Sequence, residues 1–299
     1  MHLSVGIFGS NEFMKKLGKQ GTINDIMIYN HASSEGVFTF ISPNSPENKI
    51  QPLVQVINAI DIPVVVSDSI TKELAEQIIF LDAFEFEKGF IISKSAELKN
   101  IIKNTSLEKY EFIADEKELR EKLKECTTKS ITDKIWIPVD NYFNVKSVGT
   151  VVLCIVKGGN VKKHEKLILQ PLNKEVLIKG IQSQDKDIDQ AEAGMRAGLN
   201  IKGVEADEIK RGYVLCKDAV VSKKVNIEFS KSKYSKENLE KGLSVFFSLG
   251  LQIIPGRIED DLSILLEHPA VFFPNQKCII VSTKQTMPRI IGTGRMKQI

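Results

Sequence analysis

From Lys134 to Ala219 the chain carries only short apolar runs with turn residues between them. TVVLCIV, KLILQ, EVLIKGIQ and YVLC are short and rich in β-branched residues, and Gly158-Gly159, Asn173 and Gly212 separate them. Closely spaced runs of this length, bounded by Gly and Asn, are strands. So many short strands in succession predict a small closed β-barrel, assigned here to residues 129–219. From Val220 onward VNIEFS, LSVFFSLG, LQIIPGRIE, SILLEH, KCIIVS and RIIGTGRM continue the pattern. They predict a second barrel over residues 220–299. Pro255, Pro269, Pro274 and Pro288 are expected at its strand ends, where a missing N–H is tolerated.

The chain ahead of Lys134 has another rhythm. HLSVGIF, VFTFI, IPVVVS, GFIIS and YEFIA are strand-length runs. Between them IQPLVQVINAI, TKELAEQIIFLDAF, SAELKNIIKN and DEKELREKLKEC read as helices. The last places Leu119 and Leu123 on one face, with Asp115 as N-cap and Glu118 at capping-box spacing. Alternating strands and helices predict a mostly parallel sheet covered by helices, assigned to residues 1–128. The polar KSITD segment, residues 129–133, reads as a linker.

Composition narrows the function classes. A formal net charge of +3 is too small to argue nucleic-acid binding alone. Lysines do gather in the β-rich part, at Lys157, Lys162, Lys163, Lys166, Lys174 and Lys179, where solvated strand edges use them too. No apolar stretch is long enough to span a bilayer, and no signal peptide is visible. The expectation is a cytoplasmic protein without a membrane partner. Cys126, Cys154, Cys216 and Cys278 lie far apart and read as small buried apolar residues, not ligands. His2, His31, His164 and His268 have no metal or triad spacing, so no metal site is expected.

Several segments together carry a resemblance. They are Val148-Gly149-Thr150-Val151-Val152, Gly159-Asn160-Val161-Lys162, Ala193-Gly194-Met195-Arg196-Ala197-Gly198-Leu199, Lys202-Gly203, and Glu208-Ile209-Lys210-Arg211-Gly212. In this order they resemble domain 2 of the elongation factor Tu family. Gly250-Leu251-Gln252 and Arg289-Ile290-Ile291-Gly292-Thr293-Gly294 are more similar to the archaeal and eukaryotic selenocysteine-specific factors. The resemblance implies an α/β plus all-β fold: a GTPase-like parallel-sheet domain followed by two β-barrels.

The nucleotide motifs of that family are degenerate here. A P-loop needs GxxxxGK and a hydroxyl, so that backbone N–H groups, lysine and magnesium hold phosphate. After the first strand stand Gly9-Ser10-Asn11-Glu12-Phe13-Met14-Lys15-Lys16. Gly9 and Lys15 fit a vestigial phosphate loop. Met14 replaces the second glycine and Lys16 the hydroxyl. In place of DxPGH the chain has Ser42-Pro43-Asn44-Ser45-Pro46, and proline cannot orient water. In place of NKxD it has Ser93-Lys94-Ser95-Ala96, without a carboxylate for guanine. Gln20-Gly21-Thr22-Ile23 faintly resembles the first switch. No GTP hydrolysis and no cofactor are expected.

In the family the aminoacyl end of tRNA lies against domain 2 and the acceptor stem against domain 3. The resemblance therefore places candidate RNA-binding residues at Lys157, Gln184 and Arg196, whose two cations suit an anionic end-group. Arg257, Arg289 and Arg295 are candidates for acceptor-stem phosphates. The expected function is that of an elongation factor-like, non-hydrolysing protein whose partner is tRNA, the ribosome or a translation factor. Two readings stay open beside it. One is a GTP- and magnesium-binding factor with divergent motifs; the other is a protein-interaction scaffold that regulates translation.

Overall fold

Apolar runs and helical runs alternate through the first part of the chain and form an α/β sheet, as their pattern predicts. A computed structural model describes residues 1–128, 130–259 and 263–298. Lys129, where the expected linker and first barrel begin, and Ile299, where the expected second barrel ends, lie outside the described residues.

The first part runs β1 (His2–Phe8), α1 (Met14–Leu17), β2 (Lys19–Ile23), β3 (Ile26–Ala32), β4 (Val37–Pro43), α2 (Gln51–Ala59), β5 (Ile62–Val66), α3 (Lys72–Phe84), β6 (Phe90–Ile92), α4 (Ala96–Ile102), β7 (Glu111–Phe112) and α5 (Glu116–Lys124). Then come β8 (Trp136–Val145), β9 (Gly149–Ile155), β10 (Asn160–Lys162), β11 (Lys166–Gln170), β12 (Lys174–Ser183), β13 (Lys186–Ile188), β14 (Gln190–Glu192), β15 (Arg196–Lys202) and β16 (Val214–Cys216). The last are β17 (Val220–Val225), β18 (Ile227–Lys231), β19 (Ser244–Leu249), β20 (Gln252–Ile258), β21 (Ile264–Phe272), β22 (Lys277–Ser282) and β23 (Ile290–Met296).

The chain divides into two compact units. One holds Met1–Thr128, Phe229–Asn238 and Ile279–Gly294; the other holds Lys129–Glu228, Leu239–Cys278 and Arg295–Ile299.

In the first unit the sheet order is β2-β3-β4-β1-β5-β6-β7. β1 runs parallel to β4 and β5, and β6 continues the parallel run. Leu3, Val5, Ile7 and Phe8 of β1 and Val64 and Val65 of β5 are fully buried. Such near-continuous apolar runs are what a parallel strand covered on both faces requires. Helix starts follow their polar residues: Thr71, Ser95 and Asp115 each accept backbone N–H bonds as N-caps. Glu118 reaches the Ala114 N–H at 2.7 Å, one residue before the position a capping box uses.

The antiparallel hairpin of β2 and β3 is not anticipated by the sequence pattern. Gln20-Gly21-Thr22-Ile23, which echoes a switch, lies in edge strand β2. Its residues are mostly exposed, so no apolar alternation marks it.

In the second unit β11-β16-β8-β9-β15-β12 form a six-stranded barrel that closes through a β11–β12 pairing. Ile137, Val139, Val152, Leu167, Leu199 and Leu215 fill it, each 0–1% exposed. Gly158 is required at its turn, since a Cβ there would come within 2.7 Å of the Lys134 carbonyl. Trp136 is buried and packs on Phe273 with ring centroids 5.5 Å apart. β17-β21-β20-β19 follow as part of a C-terminal half-barrel, and β22, β23 and β18 belong largely to the first unit.

Two prolines stand inside strands and not at their ends. Pro255 is in β20, beyond the Gly256–Ile258 stretch paired with β21. Pro269 is in β21, where pairing with β17 is interrupted. Each gap in the ladder removes the need for the N–H that proline lacks. All four cysteines are buried, as expected.

Leu199→Ala is expected to lower stability by about 2–5 kcal/mol, because it empties the barrel centre. Val148→Ala, on an exposed hairpin, is expected to change it by less than about 0.5 kcal/mol. Urea denaturation of the two variants checks both.

Candidate functional site

β1, β5, β6 and β7 share a direction, so their C-terminal ends open on one edge of the sheet. Chain order reverses at β1, with β4 on one side and β5 on the other. Ligands of open α/β sheets bind at such a point. A cleft of about 770 Å³ lies there, lined by residues that include Gly9, Ser10, Lys16, Asp68, Lys94 and Asp115.

The loop after β1 is held by the protein's own groups. Gly9 has φ +90°, and a Cβ at this position would meet the Val66 carbonyl at 2.5 Å. Its N–H donates to Gln77 Oε1 on α3 at 2.9 Å. Ser42 Oγ donates to the Ile7 carbonyl at 2.8 Å and lies 2.7 Å from Asn11 Oδ1. Phe13 and Met14 point into the core, 8% and 0% exposed. Lys15 Nζ lies 2.7 Å from Glu12 Oε2 on the surface, and that hydrogen bond holds its ammonium above the usual lysine range. It is Lys16, not Lys15, that lines the cleft. Arg120 Nη2 of α5 donates to the Lys16 carbonyl at 2.5 Å and so ties α5 to the end of α1.

Around the rest of the cleft, Asp68 Oδ1 accepts the Lys94 N–H at 3.0 Å. Asp115 accepts the Glu118 and Lys117 N–H groups at 3.0 and 2.9 Å. The Glu118 bond in particular holds its carboxyl below the ordinary range. Lys16 and Lys94 thus share the lining of one cleft with Asp68, Asp115 and Glu116. Among the described residues no cluster of His, Cys, Asp and Glu could hold a metal ion.

Of the barrel candidates, Lys157, Gln184 and Arg196 come to one end of the closed barrel. Arg196 opens β15 opposite Ile155, the last residue of β9, and Lys157 follows two residues later. Ser183 ends β12 and donates to the Arg196 carbonyl at 2.9 Å, with Gln184 next in the turn. Lys157 is only 5% exposed. Arg196 Nη1 lies 2.8 Å from Asp140 Oδ2, with side-chain exposures of 10% and 3%. Asp140 Oδ1 is buried without a hydrogen-bond partner among the described residues. The sequence offers one signal for Asp140, a lone carboxylate in the apolar run that opens the barrel.

The three arginines are not brought together. Arg257 and Arg295 are exposed on β20 and β23 of the second unit. Arg289 belongs to the first unit and is 1% exposed, with Nη2 2.5 Å from Glu76 Oε2. Expected on the surface as a phosphate contact, it is an interior residue. A carboxylate on α3 occupies its guanidinium, which no sequence spacing announces.

Comparison with known proteins agrees with this architecture. Residues 149–216 match the family model for elongation factor Tu domain 2. A protein of uncharacterised function from Methanocaldococcus jannaschii is 32% identical over 306 residues, covering 98% of this chain and 99% of that one. The selenocysteine-specific elongation factor of the same organism is 34% identical over 175 residues, 56% of this chain and 37% of that protein. In fold, translation elongation factor SelB from Methanococcus maripaludis, solved with the GTP analogue GppNHp, superposes with a TM-score of 0.85 at 21% identity, covering 99% of this chain and 79% of that one. The chain belongs to one family with the M. jannaschii protein of uncharacterised function, and its residues 149–216 are an elongation factor Tu domain 2. Its architecture is that of SelB, an α/β domain, a closed barrel and a half-barrel, and it matches the M. jannaschii protein of uncharacterised function from end to end.

The Asp115 cap gives the cleft wall a pH dependence. A carboxyl held low in the fold stabilises above its unfolded pKa, and that contribution is lost as pH falls through the folded value, here below about pH 4. Hydrogen exchange at Lys117 and Glu118 is expected to accelerate there relative to Asp115→Asn, whose amide oxygen caps at every pH.

Proposed function

We propose that this chain is a non-hydrolysing relative of the elongation factors, related to SelB, that binds tRNA or a ribosomal or factor partner in the cytoplasm through its β-barrels. The observation that carries this reading is the grouping of Lys157, Gln184 and Arg196 at one end of the closed barrel. An anionic end-group there would have to reach Lys157, 5% exposed, and Arg196, whose orientation Asp140 sets. Arg257 and Arg295 are exposed and can meet phosphates, although Arg295 Nη1 also donates to the Asn275 carbonyl at 3.1 Å; the Arg289 guanidinium is taken up by Glu76 and the Pro46 carbonyl.

Support for omitting GTP hydrolysis comes from the loop after β1. Magnesium-bound GTP needs a lysine on its phosphates, a hydroxyl on the metal and free loop amides. Here Lys15 is turned onto Glu12, the Gly9 N–H is held by Gln77, and Met14 is core. These residues do not fit the group. One observation favours the second reading, a divergent nucleotide site: a cleft of about 770 Å³ stands at the sheet's switch point.

Two measurements separate the readings. Filter binding of aminoacyl-tRNA is expected to show retention at low salt that falls as salt rises, because phosphate contacts release counterions. No retention of any tRNA at low salt would remove the RNA-binding proposal. A fluorescent guanine nucleotide titrated with magnesium is expected to bind more weakly than about 10 μM, or about −7 kcal/mol. Tighter binding would favour the second reading.

A further inference from the structure

We infer that α3 is a mechanical link between the loop at the mouth of the cleft and the C-terminal strand β23, so that a change at either end is felt at the other. Two consecutive residues of α3 make the link. Gln77 Oε1 accepts the Gly9 N–H at 2.9 Å. Glu76 Oε1 accepts the Arg289 N–H at 2.8 Å and its Nε–H at 3.1 Å, and Oε2 accepts Nη2–H at 2.5 Å. The second bond of Nη2 goes to the Pro46 carbonyl at 2.8 Å, in the segment between β4 and α2.

Glu76, Gln77 and Arg289 are 3%, 6% and 1% exposed whereas Gly9 is exposed, so the Arg289 bonds are shut off from water and the Gly9 bond is only partly so. Neighbouring residues of a helix point about 100° apart. The helix is therefore gripped from two directions, and its rotation is set by both. A guanidinium fork tolerates little rotation of the carboxylate that faces it. The same helix touches the C-terminal segments again nearly two turns on. Asp82 Oδ2 lies 3.1 Å from Lys233 Nζ, and the Ala83 carbonyl accepts Thr293 Oγ at 3.4 Å. Whatever displaces Gln77 from Gly9, an anion taking that N–H included, removes one of the two grips on the helix that holds Arg289. The inference does not depend on what the barrels bind.

Hydrogen exchange read by NMR on the full chain tests it. Gln77→Met keeps the side chain's size and removes the acceptor. Exchange at the Arg289 amide and at Ile290 to Gly294 is expected to rise at least tenfold, with Val139 and Leu199 of the other unit unchanged. In the reverse direction Arg289→Lys, which breaks the fork but keeps the charge, is expected to raise exchange at the Gly9 amide at least tenfold. Acceleration of Gly9 alone in Gln77→Met, or equal acceleration at Arg289 and at the two control amides, overturns the link. If Arg289→Lys does not fold, Gln77→Met decides by itself.

Discussion

Closure of the six-stranded barrel is the constraint on which the candidate RNA site rests. β11 bonds to β16 on one side and to β12 on the other, so the six strands that close the ring leave no open edge between them. Once closed, the ring has two ends, and each strand end meets specific neighbours. β9, β15 and β12 deliver Ile155, Arg196 and Ser183 to the same end, which is how residues far apart in sequence become one surface. A cation largely withdrawn from water needs a partner, and Asp140 supplies it to Arg196.

The core of the α/β sheet is built from Leu3, Val5 and Ile7 with the apolar faces of the helices, and it reaches the cleft at Phe13, Val66 and Ile113. The polar groups of the loop after β1 are satisfied internally, by Gln77 on Gly9 and by Ser42 on the Ile7 carbonyl. Side chains thereby give backbone groups of this loop partners within the chain. The same economy ties α3 to the C-terminal strands through Glu76 and Arg289.

Much of the fold was legible because its signals are local. Apolar runs with helical or strand spacing foretold all four longer helices of the α/β domain, and Asp115 was recognisable as a cap. The β2–β3 hairpin was not, because exposed residues on an edge strand have no pattern to break. Pro255 and Pro269 inside strands were not, because tolerance depends on which neighbouring strand stops pairing there. Within the candidate site, Lys157 and Arg196 were found through family resemblance, whereas Asp140 and Gln77 were not. Arg289 was misjudged: an arginine looks the same in sequence whether it faces water or a buried carboxylate.

By itself the sequence determined the order of an α/β domain and β-rich domains, the family to which the barrel belongs, and the residue types absent from the phosphate loop. These follow from periodicity and identity, which are properties of neighbouring residues. Only the tertiary structure decided that Lys16 and not Lys15 reaches the cleft, that Asp140 faces Arg196, and that Glu76 holds Arg289 in the interior. Each of those is a pairing between groups brought together by packing, and an ionic partner is chosen by proximity in space, to which spacing along the chain is blind.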